Sequence, residues 1–446
     1  MTSAYIFYFS SFVASLINPF WGLVGLIFSV LIRFQDRYPD IVSIKPFSLL
    51  FLGMVIGCFI HRDSLSKHHW KQDKLLIGML IVSIFGLLVM NPSDLIPQTW
   101  EFVSALAFYF FATRILQERR QFIILFAVMS CCIVYMGYEA IQDVTLHPLT
   151  TPFIDIRNGR WQGLGYYQNA NEFGQLMITT LPFLFAALLM KNSIFFKAIA
   201  ICFIAILIYV VGKTESRTVM IILGMMIMLT FILRGRGNVI KKTIQSSILG
   251  FLLLVGLSYA PGPIQDRLES VLNAGSDKSF QGRVRAWEQG FDMLTWYPIT
   301  GIGKGQWLDY HGRRPHNSYV EIMAELGIAG IILFLMTLRL SFREFKPFFS
   351  NEHESSQNMN GKEWKSNNHE PPPEQNKSKI PITASIDMET KTVAIAVVVV
   401  FVGWLVYIFL GNQAYAVWTY FYIGLCGAVR NLLPDAYHAH NEKVFT

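Results

Sequence analysis

The residues best suited to chemistry lie in and around one polar interruption of an otherwise apolar chain, from Ala260 to His316-Asn317. His316 is the leading general-base candidate, because an imidazole of pKa about 6.5 can take a proton from an attacking hydroxyl. Asn317 could orient that ring or bind a sugar hydroxyl. Upstream, 282–288 reads Gly-Arg-Val-Arg-Ala-Trp-Glu. Arg283 and Arg285 stand two apart, so on a helix they diverge by about 200° and only one can face a substrate. Trp287 shares the side of Arg283 and could pack its stem or stack on a sugar. Arg217 stands where an apolar stretch begins, in Gly-Lys-Thr-Glu-Ser-Arg-Thr at 212–218. An arginine there is costly unless it snorkels or meets an anion. Its fork can grip a phosphate; a boundary anchor or an ion pair with Glu215 is the equal alternative. Arg160 is a further phosphate- or sugar-binding candidate. Asn169, Asn171 and Glu172 can cap the next helix, and the two asparagines could also contact substrate. His311 completes no zinc triad with His316, so no catalytic metal or other cofactor is expected.

These groups need a scaffold, and the composition says which kind. Of 446 residues, 53% are hydrophobic and 15% charged, against about 25% charged in soluble domains. Stretches 75–90, 199–211 and 393–410 carry no charge, and about 20 apolar residues suit a bilayer core. Candidate spans are 5–32, 44–61, 74–90, 97–116, 120–140, 171–190, 194–211, 216–233, 243–260, 318–338, 391–410 and 412–429. The expected fold is therefore an all-α polytopic membrane protein of about twelve transmembrane helices. The first span is long and contains Asn18-Pro19, which predicts a kink or two half-helices. It lacks a basic lead and a cleavage site, and reads as a retained membrane segment.

The net charge of +7 follows from positive-inside bias rather than nucleic-acid binding. Arg62 to Lys74, Arg119-Arg120, Lys191 with Lys197, and Arg234 to Lys242 mark cytoplasmic loops. Segments 142–170, 212–217 and 261–317 then face outward, with both termini in the cytoplasm. Arg33 and Arg37 fall outside and fit this count poorly. The transmembrane domain is expected over 1–338, followed by a largely disordered cytoplasmic insertion at 339–390, two last helices in 391–429 and a cytoplasmic tail at 430–446. All five cysteines sit in apolar segments and read as buried thiols. Residues from Gly282 to about Trp296 predict an amphipathic helix with Phe280, Val284, Trp287, Phe291 and Leu294 on its apolar face. Pro298 ends it, and Gly301, Gly303 and Gly305 allow a tight turn.

In order along the chain, Gly165 through Asn171, Ser216-Arg217, Gly282-Arg283, Trp287, Pro298, Gly301-Ile302-Gly303, His316-Asn317, Glu325-Leu326-Gly327 and Gly330 resemble the bacterial O-antigen ligase/polymerase family. The resemblance implies a GT-C-like architecture with a large periplasmic loop in the bacterial inner membrane. It implies metal-independent, inverting transfer of an undecaprenyl-diphosphate-linked glycan to a glycan, lipid A-core or protein acceptor. It makes Arg217, Arg283 and His316 the catalytic candidates, with Arg160, Arg285, Asn169, Asn171, Trp287 and Asn317 as substrate-binding candidates. Membrane lipids and polysaccharide-assembly proteins are the other expected partners, and nucleic acid is not. A polysaccharide transporter or flippase is the competing class. It should spread its arginines along a central route, whereas here the polar features gather at one face.

Overall fold

The computed structural model describes residues 2–67, 70–156, 158–234, 278–349 and 386–434. The described part is an all-α membrane protein with a single isolated β-bridge, Ile154 to Trp161. Among the described residues, nine helices are long and apolar enough to cross a membrane. Of the twelve expected spans, 243–260 lies outside the described residues, as does 261–277 of the expected outer loop. Two others are helical but fall outside those nine. One is Leu95–Ile115, which carries Glu101 and Arg114, and the other is the 13-residue Val417–Val429. They pack against each other, with Gly424 set against Tyr109 and Ala112.

In chain order the helices are α1 (Thr2–Ile17), α2 (Pro19–Ile32), α3 (Pro46–Ile60), α4 (Trp70–Met90), α5 (Leu95–Ile115) and α6 (Arg119–Leu146). They continue with α7 (Ala170–Thr179), α8 (Leu181–Leu189), α9 (Ile194–Thr214), α10 (Arg217–Arg234) and α11 (Lys278–Trp296). The last three are α12 (Ser318–Arg343), α13 (Met388–Phe409) and α14 (Val417–Val429). Residues 339–349 belong to α12 and the short helix after it, and 386–390 to the start of α13. The rest of the expected insertion, 350–385, lies outside the described residues, as do 435–446 of the tail.

The first apolar segment is a hairpin rather than one span. Pro19 cannot donate to the preceding turn, and Asn18 Oδ1 accepts from Phe20 N–H at 2.9 Å to start α2. Gly22 then faces Ser15, and Gly25 faces Ser11, a pairing possible only if the helices run antiparallel. Thr2 and Arg33 therefore lie at one end of the bundle and Asn18 at the other. That corrects the expectation that both termini share a face. Arg33 and Arg37 lie with Thr2, at the end where the candidate chemistry gathers, and each has an acidic partner, Asp36 and Glu139.

Two ends of the bundle emerge from the contacts. At one, Ser66 Oγ meets Asn431 Oδ1 at 2.9 Å, Arg119 pairs with Asp387 at 2.8 Å, and Arg430 approaches Glu344 at 3.7 Å. At the other, Asn91 bonds Gln306, Tyr166 bonds Gln413, and Ser216 bonds Asn171. Basic loops gather at the first end and the candidate chemistry at the second.

Candidate functional site

α11 and the turns after it form a cap on the second end. α11 begins near the predicted position and ends before Pro298. Its buried face, however, is Ala286, Gly290 and Met293, while Phe291 is 56% exposed. The expected stripe is rotated because Gly290 lets Val320 and Trp307 press against the helix backbone. The turn at 298–303 then docks on a break in α12. Gly327 has φ 65°, and the turn meets one N–H and one carbonyl of the helix at this kink: Ile328 N–H donates to Pro298 O at 2.9 Å, and Ala324 O accepts from Ile302 N–H at 2.9 Å. Gly301, with φ 62°, abuts the Glu325 backbone. Side chains are sterically disfavoured in such left-handed conformations. This mutual docking is why Gly301-Ile302-Gly303 and Glu325-Leu326-Gly327 occur together. Below it, Glu325, 1% exposed, accepts from Gly305 N–H at 2.9 Å and Trp307 N–H at 3.3 Å.

The loop that ends at His316 is held by two indoles. Trp307 Nε1 donates to Arg313 O at 2.9 Å and Trp287 Nε1 to Pro315 O at 2.8 Å. Trp287 also packs its ring on Phe409, so it positions the loop. His316 itself sits at φ 49°. Asn317 is 2% exposed, and its Oδ1 caps α12 by accepting from Tyr319 N–H at 3.0 Å and Val320 N–H at 3.2 Å. The expected orienting role falls to Asn412 instead. His316 N–H donates to Asn412 Oδ1 at 2.8 Å, and Asn412 Nδ2 lies 3.2 Å from His316 Nδ1. His311 is turned to its own loop, with Nδ1 2.8 Å from Arg313 O.

His316 lines a cavity of about 800 Å³ at this end, within the range of ligand sites. Its wall carries the cations Arg33 and Arg314 and the carboxylates Glu101, Glu172 and Glu321. Trp100, Tyr166, Tyr415 and Trp418 supply aromatic surface. The carboxylates have different partners. Lys304, only 1% exposed, lies 3.1 Å from Glu101, Arg314 lies 3.4 Å from Glu321, and Gln413 Nε2 lies 3.4 Å from Glu172 Oε1. Burial first, then the charges of Arg283, Arg313 and Arg314, push the His316 imidazole down to about 4. The ring is therefore neutral at physiological pH.

The other candidates divide around this cavity. Arg283 is half-buried on the side of His316, while Arg285 is exposed. Arg160, Asn169 and Asn171 line a separate polar hollow of about 380 Å³. Arg160 Nε donates to Thr214 O at 2.8 Å and its Nη2 to Asn171 Oδ1 at 2.9 Å. Asn171 Oδ1 also accepts from Ser216 Oγ at 2.7 Å, and Asn169 caps α7 through Asn171 N–H at 2.8 Å. These bonds fix the start of α10, whose first residue is the half-buried Arg217. A polar chain therefore runs from Arg217 through Ser216, Asn171, Glu172, Gln413 and Asn412 to His316. Sequence reasoning missed Asn412 and Gln413, placing them inside the span 412–429. The stretch before α14 is instead a turn, and Gly411-Asn412-Gln413 was its visible signal.

Residues 181–335 match the family model described as O-antigen ligase. That interval contains Arg217, Arg283, Arg285, Trp287, His316 and Asn317, while Arg160, Asn169 and Asn171 precede it. The chain is also 29% identical over 117 residues to the exopolysaccharide production protein ExoQ of Rhizobium meliloti (strain 1021), covering 22% of this chain. The match spans 26% of that relative's length. Together they support an O-antigen ligase/polymerase family.

Proposed function

We propose that this protein transfers an undecaprenyl-diphosphate-linked glycan to a glycan or lipid A-core acceptor, at the periplasmic face of the bacterial inner membrane. The observation that carries this reading is the cavity at one end of the bundle, where His316 faces aromatic rings and carboxylates beside Arg283. Aromatic faces and carboxylates suit sugar rings and hydroxyls, and fixed guanidinium charge suits a diphosphate. Arg217 and Arg283 hold the donor diphosphate, and His316 stands at the reacting oxygens. An acceptor hydroxyl gives up its proton to a base on the cavity wall as its oxygen bonds the anomeric carbon, the bond from that carbon to the diphosphate breaks, and its electron pair leaves on the diphosphate. Direct displacement inverts the anomeric configuration. The arginines neutralise the leaving charge, so no metal is required. Exopolysaccharide assembly is the favoured setting, from the relative's name, with joining of lipid-linked repeats as the reaction.

The test is purified protein with a defined lipid-linked glycan and candidate acceptors, followed by mass analysis. Addition of repeats to a lipid-linked acceptor identifies a polymerase, and transfer to lipid A-core identifies a ligase. A folded protein that consumes no lipid-linked glycan with any acceptor refutes the reading.

A further inference from the structure

One amide holds the ring of His316. A backbone N–H only donates, so the Asn412 atom 2.8 Å from His316 N must be the amide oxygen. That fixes the amide orientation and turns its NH2 toward Nδ1, 3.2 Å away. An NH2 likewise only donates, so Nδ1 is the acceptor and bears no hydrogen. In a neutral imidazole the one remaining hydrogen is then on Nε2. Both residues line the same cavity.

Within the glycan-transfer reading above, we propose that Asn412 is a positioning residue that holds His316 as its Nε2–H tautomer, so that His316 meets the reacting oxygens as a hydrogen-bond donor and the acceptor proton goes to Glu172. A ring in this form has no lone pair on Nε2 with which to take that proton. The base must be another group on the wall. Glu101 and Glu321 are each engaged in an ion pair, with Lys304 and Arg314. Glu172 instead meets a neutral amide, Gln413, so taking up the acceptor proton there breaks no ion pair. The acceptor O–H bond breaks toward Glu172 as the oxygen bonds the anomeric carbon. The anomeric carbon–diphosphate bond breaks, and the His316 Nε2–H bonds to the oxygen that receives its electron pair.

Asn412→Asp separates the two roles. One carboxylate oxygen still accepts the His316 N–H, while the other draws the ring hydrogen onto Nδ1. The charged groups facing the ring are Arg313 and Arg314 from its own loop and Arg283 from α11. Across the cavity stand Arg33, Glu101, Glu172 and Glu321. Rates are therefore read as ratios to wild type at each pH. The expected ratio is a loss of about tenfold or more at about pH 8, recovering toward about pH 6 as protonation returns a hydrogen to Nε2. A ratio near one at the higher pH that falls on acidification is the slope of a base and overturns the proposal. Glu172→Gln is expected to lose about tenfold or more while still binding lipid-linked donor; full transfer by this variant removes Glu172 as base. Nitrogen-15 NMR of histidine-labelled wild type in membranes, with His316→Gln identifying the signal, reads the tautomer without turnover. A protonated Nε2 is expected, and a protonated Nδ1 overturns the assignment. If wild type transfers no glycan, the functional reading fails while the tautomer is still decided by this spectrum.

Discussion

Arg283 and Arg285 show how much a single residue's placement matters. Their spacing demanded a choice, and burial makes it: Arg283 stands within electrostatic reach of His316 while Arg285 meets solvent. Arg283→Ala and Arg217→Ala are each expected to reduce transfer by about 100-fold or more. Lysine at either position should restore little, because it lacks the bidentate fork. Near-normal turnover by both Arg283 variants would shift the diphosphate role to Arg285. The pH behaviour of His316 has a definite sign. Its folded pKa is lowered to about 4, below the ordinary value, so it stays neutral until pH falls through that region. No His316-dependent change in transfer is expected between pH about 8 and about 5. A step near pH 6.5 that His316→Gln abolishes would contradict the burial and the three arginines. Arg314→Gln removes one of those charges and should move the titration upward, as read by the imidazole signal.

Elements carry the next layer of causes. α12 is both a membrane helix and the platform of the site, and its first turn depends on Asn317. Loss of that cap in Asn317→Ala should cost about 1 kcal/mol of stability, with Asn317→Ser recovering most of it. Thermal unfolding in detergent checks this. The result matters beyond stability, since His316 is the adjacent residue and its left-handed backbone is set by where α12 begins. The break in α12 is more demanding. A Cβ at Gly327 would stand 2.6 Å from Pro298 O at φ 65°. Gly327→Ala is expected to destabilise by at least about 1–3 kcal/mol, separating the 298–303 turn from the helix. An unchanged melting temperature would show that the turn and the kink are not interlocked.

At the scale of the whole molecule, the hairpin of α1 and α2 decides topology. It puts Thr2 at the end that carries Asn158 and His316, and the segment after α14 at the other. Single cysteines can report this in a background lacking Cys58, Cys131, Cys132, Cys202 and Cys426. Cysteine at Thr2 and at Asn158 should be labelled from the same side, and cysteine at Ser64 from the other. Labelling of Thr2 together with Ser64 would break the hairpin assignment. If the site end is periplasmic, as proposed, impermeant reagent reaches the first pair in intact cells. Glycan transfer by the purified protein should also survive chelation, measured as product formed with and without a strong chelator.

Charge-free runs, Pro298 and the asparagines ahead of helices were readable because each reports on its own segment: apolar length, a missing N–H, a local cap. The order of glycine, arginine and histidine elements along the chain likewise carries the resemblance to the O-antigen ligase/polymerase family and points to the principal candidates. Which way α11 turns was not readable, since its buried face is set by Trp307 and Val320 pressing on Gly290 rather than by its own apolar pattern. Nor was the fate of Asn317, whose oxygen the helix end claims. The partner of His316 lies 96 residues away, in a turn disguised as the start of a span. Helical periodicity describes one helix at a time, whereas the site joins α2, α5, α7, α11, α12 and the turn before α14. The types of residue and the membrane-spanning scaffold were determined by sequence alone. The tautomer of His316, its buried surroundings and the two-ended hairpin were decided only by packing between segments distant in the chain.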